Sequence, residues 1–316
     1  MKNLVVAGLL SVFITIINGR SVFARSDWTF AEWCENQENL TPEARYTVRV
    51  LLEKSGVEEC DRAEEQLTNL IILSLEDSQI ENITPLASLT TLQVLNLDEN
   101  QITDITPLAS LTNLKGLWLN GNQITDVTPL AGLTDLTVLW LNSNQIVNIS
   151  PLASLTDLTQ LLLEDNQIAN IPSLANLTQL TWINLNKNRV TEIASLATLT
   201  NLGSLYLNEN QISDITPLAK LINLDVLYLK ANHILDITPL ASLTKMESLD
   251  LNNNQITDIS PLTNLTDLIL LDLNANQVTD ITSLADLTNL ILLDLGNNPL
   301  GNTPICPVQP ETICKF

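Results

Sequence analysis

Seven apolar positions recur every 22 residues through most of this chain. In the stretch LQVLNLDENQITDITPLASLTN, residues 92–113, they are Leu92, Leu95, Leu97, Ile102, Ile105, Leu108 and Leu111. Copies begin at Leu70, Leu114, Leu136, Leu158, Leu180, Leu202, Leu224, Met246 and Leu268, which makes ten consecutive units without an insertion or deletion. A truncated eleventh begins at Leu290 and gives way after Asn298 to a cysteine-bearing tail. A fixed period of this length predicts a solenoid, because one unit has too little apolar surface for a core of its own and buries it on its neighbours. The opening Leu-x-x-Leu-x-Leu alternates as a half-buried strand does, so stacked copies predict a parallel sheet with strands about 4.8 Å apart and a length of roughly 50 Å.

The polar positions complete the unit. The ninth is asparagine in every unit but the first, from Asn100 to Asn298, with Ser78 as the exception. An amide can donate and accept at once, so this column is expected to satisfy backbone groups where the chain bends away from the strand. The return path carries Thr or Ser before Pro, as in Thr106-Pro107 and Ser150-Pro151, whereas three units place Ser173, Ser195 and Ser283 at the proline position. A hydroxyl N-cap followed by proline predicts a helical start, and the few residues left before the next strand limit it to a 3₁₀-like turn on the outer side.

These features, with the spelling Asn-x-Ile-x-Asp-Ile-x-Pro-Leu-x-x-Leu-Thr, resemble the leucine-rich repeat family, in its 22-residue internalin-type subclass from bacteria, over residues 70–298. The resemblance implies an α/β solenoid, curved and right-handed, with the parallel sheet on its concave face and 3₁₀ turns on its convex face. In that family the concave face is the usual protein-binding surface. The sequence shows neither an immunoglobulin-like domain after the repeats nor a wall-sorting motif, so the resemblance does not extend to host-cell adhesion or covalent surface anchoring.

Four segments are expected: residues 1–24, 25–69, 70–289 and 290–316. The first, with Lys2, an apolar run from Leu4 to Ile17 and small or aliphatic Val22 and Ala24, reads as a secretory signal peptide cleaved after Ala24. Its apolar run falls short of the roughly 20 residues a spanning helix needs. The second segment predicts a helical cap for the exposed first coil, with one helix opening at Thr41-Pro42-Glu43, carrying Ala44, Val48, Leu51 and Leu52 on one face, and stopping at Gly56. A second helix is expected over 61–67, and the segment from Trp33 to Cys60 also resembles the N-terminal segment of secreted cyanobacterial leucine-rich repeat proteins.

Cysteines occur two at each end and nowhere in the repeats, which in a secreted chain reads most simply as disulfides Cys34–Cys60 and Cys306–Cys314. Metal ligation, the rival reading, lacks a fourth ligand near either pair. The chain holds 14 basic and 36 acidic residues, a net charge of −22, and losing the leader removes only the cations Lys2 and Arg20. Nucleic acid and anionic membrane surfaces are therefore poor partners. The convex column Asp104, Asp126, Asp214, Asp236, Asp258 and Asp280 reads as a solvated and helix-capping column rather than a line of cation sites.

Signals for catalysis are scarce. His233 substitutes for the usual tenth-position glutamine, and no phosphate loop, nucleophile elbow or zinc-ligand spacing occurs. The chain reads as a non-enzyme without a cofactor. Informative residues are those at the third, fifth and seventh positions, which point out of the concave sheet because the fourth and sixth point in. The fifth column reads Ser74, Asn96, Trp118, Trp140, Leu162, Asn184, Tyr206, Tyr228, Asp250, Asp272 and Asp294, and Trp182 joins from a third position.

Five of the eight Trp and Tyr residues thus share one open face, and no Phe occurs in the repeats. Cross-strand stacking alone would account for neighbouring rings. Yet Trp and Tyr are also what interface hot spots are made of, so Trp118, Trp140, Leu162, Trp182, Tyr206 and Tyr228 are expected to bind a partner. For Asp250, Asp272 and Asp294, like charges side by side, three readings stand in order: a hydrated face, a basic partner, and calcium. The expected function is a secreted, periplasmic or surface protein gripping a protein or peptide, with aromatic anchors from Trp118 to Tyr228 and acidic steering from Asp250, Asp272 and Asp294. A carbohydrate module, with sugars stacked on the rings, is the alternative, and a cytosolic regulatory subunit is the third.

Overall fold

The computed structural model describes residues 13–17, 20–24, 27–301 and 304–316. The leader and the cleavage point after Ala24 lie for the most part outside them, and of residues 1–24 only an antiparallel pair, Phe13–Ile17 with Arg20–Ala24, is described. The rest is a right-handed solenoid built on a single sheet of twelve parallel strands in sequential order. Eleven come from the repeats, Ile72–Ser74 through Leu292–Asp294, each pairing in register with the equivalent residues 22 positions on. Each coil then crosses the convex side in a short 3₁₀ turn, such as Thr106–Ser110 or Thr216–Lys220.

The seven apolar positions fill the interior almost without exception, and one core runs unbroken from the N-terminal cap to the C-terminal tail. Burying such side chains stabilises by about 1.5–3 kcal/mol each. The asparagines make this dense packing compatible with a bent backbone. Asn100 accepts from the Ile80 N–H at 2.9 Å and donates to the carbonyls of Leu75 and Leu97 at 2.8 and 2.9 Å, so one amide stitches two coils. The same arrangement repeats as far as Asn298. The residue before each asparagine, including Glu99, Ser143, Ala231 and Ala275, takes the left-handed conformation, with φ between 52° and 63°.

One expectation is corrected at the outer turns. The Thr or Ser hydroxyl is no N-cap, for that residue lies inside the turn and no side chain caps the preceding isoleucine position. The aspartate two residues earlier does the work: Asp104, Asp126, Asp214, Asp236, Asp258 and Asp280 each accept the backbone N–H of the Thr or Ser at 2.8–2.9 Å. An Asx-type turn outcompetes a hydroxyl here because the aspartate already stands on the incoming strand of chain.

Both ends are covered. At the N-terminal end, α1 (Phe30–Glu35), α2 (Pro42–Ser55) and α3 (Cys60–Thr68) pack on the first coil, with Cys34 bonded to Cys60. The helix α2 opens on Thr41, whose side chain accepts from Ala44 N–H, and closes on Gly56 in the left-handed region at φ 71°. Buried Thr47 donates its hydroxyl to the Asn82 carbonyl at 2.7 Å and so ties the cap to the first repeat. Helix α1 was not expected, although Thr29 and Glu32 form a capping box that the sequence spells out. At the other end Cys306 is bonded to Cys314, and the tail adds Cys314–Lys315 as the twelfth strand, with Leu295 N–H donating to the Lys315 carbonyl at 2.7 Å.

Candidate interaction face

The fifth-position residues stand in one row across the concave sheet, since Asn96 pairs with Trp118, Trp118 with Trp140, Trp140 with Leu162, and so on through Tyr206, Tyr228, Asp250, Asp272 and Asp294. Trp182 sits one row over, opposite Gln160 and Ser204. All five rings are half-buried rather than open to solvent. They form two groups: Trp118 meets Trp140 edge-on at 5.5 Å, while Tyr206 meets Tyr228 edge-on at 5.1 Å and Trp182 at 6.3 Å. Leu162, between the groups, is only 6% exposed and forms the floor of the face instead of an offered contact.

The rings lie down along the sheet. A Cβ added to Gly116 would come within 2.9 Å of two Trp118 ring carbons, so that ring rests on a bare stretch of its own strand. The Tyr228 hydroxyl reaches the third position of the next coil and accepts from the Ser248 hydroxyl at 3.3 Å. Burial pushes the Tyr206 phenol above its ordinary pKa, with Tyr228 and the charge of Asp225 adding to the shift. The indole N–H groups of Trp140 and Trp182 are buried and have no hydrogen-bond partner.

A rule that the sequence reading missed governs this row. From the second repeat on, the seventh-position N–H at the end of each repeat strand finds its acceptor in one of two places. Where the fifth residue is Asn or Asp, its own Oδ1 accepts: Asn96 from Asp98, Asn184 from Asn186, Asp250 from Asn252, Asp272 from Asn274 and Asp294 from Gly296, at 2.9–3.1 Å. Where the fifth residue is a ring or Leu162, the seventh residue of the preceding coil accepts instead. Asp98 then serves Asn120, Asn120 serves Asn142, Asn142 serves Glu164, Asn186 serves Asn208 and Asn208 serves Lys230, at 2.6–2.9 Å.

The aspartates at the C-terminal end of the row are therefore committed to backbone. Side-chain amides also face them, Asn252 toward Asp272 at 3.4 Å and Asn274 toward Asp294 at 3.1 Å. These contacts offset the like-charge cost of neighbouring carboxylates. Burial raises the Asp250 pKa, and Asp272 raises it further, while the Asn252 N–H and Lys230 pull the other way. Among the described residues no group of three or more His, Cys, Asp or Glu converges as a metal site would. His233 stands exposed outside the face, and its N–H donates to Ile212 as the usual glutamine's does to its neighbour.

Every strand of the face is paired, so a ligand on it meets side chains only. The comparisons with known proteins fit this geometry. The family model for leucine-rich repeats in two copies matches residues 68–110, 90–132, 112–154, 134–176, 178–220 and 222–264. An internalin (inlF) of Listeria monocytogenes is 38% identical over 80% of this chain and 75% of its own, with a TM-score of 0.77. Internalin C2 of the same organism is 37% identical over 66% of this chain and 91% of its own, with a TM-score of 0.60. The plant peptide hormone receptor RGFR1 shares the fold at 19% identity and a TM-score of 0.53, over 73% of this chain and 48% of its own. No curated protein matches in sequence.

Proposed function

From the premise that the chain belongs to the leucine-rich repeat family, in its internalin-type class, we propose that it is a secreted, non-enzymatic binding protein that holds a protein or peptide on the ring-bearing part of its concave face. One observation carries this reading. The fold satisfies its strand ends with Asn or Asp at the fifth position in five coils, yet gives that position to Trp, Tyr or Leu in five others and recruits the preceding coil to supply the missing acceptor. Rings at these positions do nothing for the backbone that a fifth-position asparagine would not do more directly. Half-buried, amphipathic and mutually braced, they offer rigid contact area at low entropic cost, which is what interface anchors require.

The two unpaired indole N–H groups point the same way. A buried donor without an acceptor costs roughly 1–3 kcal/mol, and a partner that supplies an oxygen on ring movement recovers it. The two disulfides fit an oxidising compartment, and among the described residues no helix is long and apolar enough to cross a membrane.

Capture from the native medium tests the proposal, with wild-type bait beside Trp118→Ala/Trp140→Ala, Trp182→Ala/Tyr206→Ala and the convex-side variant Asp236→Asn. A saturable protein partner should be retained by Asp236→Asn and lost or weakened at least tenfold by a ring pair, as expected for hot-spot truncations. Equal capture by all four baits contradicts the proposal. Binding confined to a glycan array turns it toward the carbohydrate reading.

A further inference from the structure

The second column, one residue before each outward third position, distinguishes the two ring groups. Near Trp118 it carries Lys115, followed by Thr137, Thr159 and Thr181, whereas near the tyrosines it runs Gly203, Asp225 and Glu247. Asp225 and Glu247 are exposed, and neither side chain takes part in either of the two ion pairs among the described residues, Arg62–Glu59 and Lys187–Glu164. The Asp225 carboxylate leans back over the preceding coil, where a Cβ added to Gly203 would lie 3.7 Å from its Oδ1. The glycine thus leaves open space beside the carboxylate, on the coil that bears Tyr206. Tyr206 and Tyr228 extend toward this same rim: the Tyr228 hydroxyl is held at the third row by Ser248, and the Tyr206 phenol feels the Asp225 charge. Lys115 belongs to the Trp118 half and Lys245 is held by the Asn223 side-chain oxygen at 2.8 Å, while Lys187, paired with Glu164, and Lys230, beside Asp250, stand at the far ends of the strands.

Stacked rings running out to free carboxylates make a site with a definite chemical preference. A guanidinium is planar, keeps its charge at any working pH, stacks on aromatic faces and pairs with carboxylates through a fork of donors. We propose that the Trp182, Tyr206 and Tyr228 half of the face, with Asp225 and Glu247 at its rim, receives an arginine side chain of the protein partner, while the Trp118 and Trp140 half takes an uncharged contact. This rests on the concave face being the binding surface. The strongly negative chain draws cationic segments from solution. The rings and Asp225 fix where the charge comes to rest.

The test uses the full chain and two probes, acetyl-Gly-Arg-Gly-amide and its citrulline counterpart, which keeps the shape and loses the charge. Indole N–H and tyrosine ring resonances are followed by NMR on titration. Saturable shifts are expected at Trp182, Tyr206 and Tyr228, smaller at Trp118 and Trp140, with the citrulline peptide binding about tenfold more weakly. Asp225→Asn with Glu247→Gln should remove that difference and leave the melting temperature unchanged, since neither side chain supports the fold. Equal response to both peptides, equal shifts in both ring groups, no saturable shift, or indifference to the double substitution overturns the inference. Partner capture that still depends on the rings would then leave the broader proposal standing, so the two failures are separable.

Discussion

Asn120 and Asn252 occupy the same seventh position, yet they do different work, because the next coil's fifth residue is Trp140 in one case and Asp272 in the other. Asn120 supplies the acceptor for the Asn142 N–H, whereas the Asn274 N–H after Asn252 is served by Asp272. Asn120→Ala should therefore cost about 1–3 kcal/mol by stranding a partly buried N–H, and Asn252→Ala under about 1 kcal/mol. Adding Trp140→Asn to Asn120→Ala should restore much of the loss, a coupling that a double-mutant cycle in denaturant reads directly. Independent, additive effects would show that the acceptor exchange is not energetically real. Charged groups split by location as well. Hydrogen bonds from the Thr238 hydroxyl and N–H hold the Asp236 carboxyl below its ordinary 3.8, and the equivalent contacts lower Asp126, Asp214, Asp258 and Asp280. Titrating lower folded than unfolded, these groups lend stability above their unfolded pKa and lose it as pH falls through the folded one. Asp98 and Asp250, raised chiefly by burial, act in the opposite sense, so the cost of their charge fades as pH falls through their raised values. Melting curves between about pH 5 and 2 should show the acid loss shallower in Asp236→Asn and deeper in Asp250→Asn. An acid limb unmoved in both variants would contradict these assignments.

The strand, its seven apolar anchors and the asparagine ladder were legible in the sequence because each is a repeated solution to the same local demand, and repetition makes the demand visible. What was not legible was exchange between coils. Recurrent asparagine at positions 120, 142, 186, 208, 252 and 274 was visible as a column, but only the register shows whether an amide serves its neighbour or an aspartate. The tail strand Cys314–Lys315 was hidden for a related reason: two residues carry no periodicity, and their pairing is fixed by the Cys306 bond and the edge they meet. Replacing both tail cysteines by serine should detach this strand and expose the last repeat edge. Faster hydrogen exchange at Leu295, whose N–H it holds, is the expected sign, and protection equal to wild type would remove the capping role. On the convex side, Ser195 sits where most coils have proline, with a buried hydroxyl that bonds to nothing. Ser195→Pro should raise stability by about 0.4–1 kcal/mol in denaturant melts, because it restricts the unfolded chain and removes that hydroxyl. A lower midpoint would mean that this turn differs from its proline-bearing neighbours.

Taken together, the solenoid separates what holds it up from what it presents. Leu117, Leu119 and their equivalents are fully buried and carry the structure, whereas the rings stand on the sheet outside the continuous core and need only their neighbours' amides to be tolerated. The most direct measurement is equilibrium unfolding of a variant with Asn at Trp118, Trp140, Tyr206 and Tyr228, the residue already present in the coils of Asn96 and Asn184. If the rings are surplus to the fold, this variant unfolds in one cooperative transition within about 1–3 kcal/mol of wild type, losing ring packing and gaining local acceptors. Leu119→Ala, a single core cavity, should cost about 2–5 kcal/mol in the same experiment. A fourfold variant that unfolds without cooperativity, or falls well below Leu119→Ala, would show that the rings are structural and that the face was not freed for a partner.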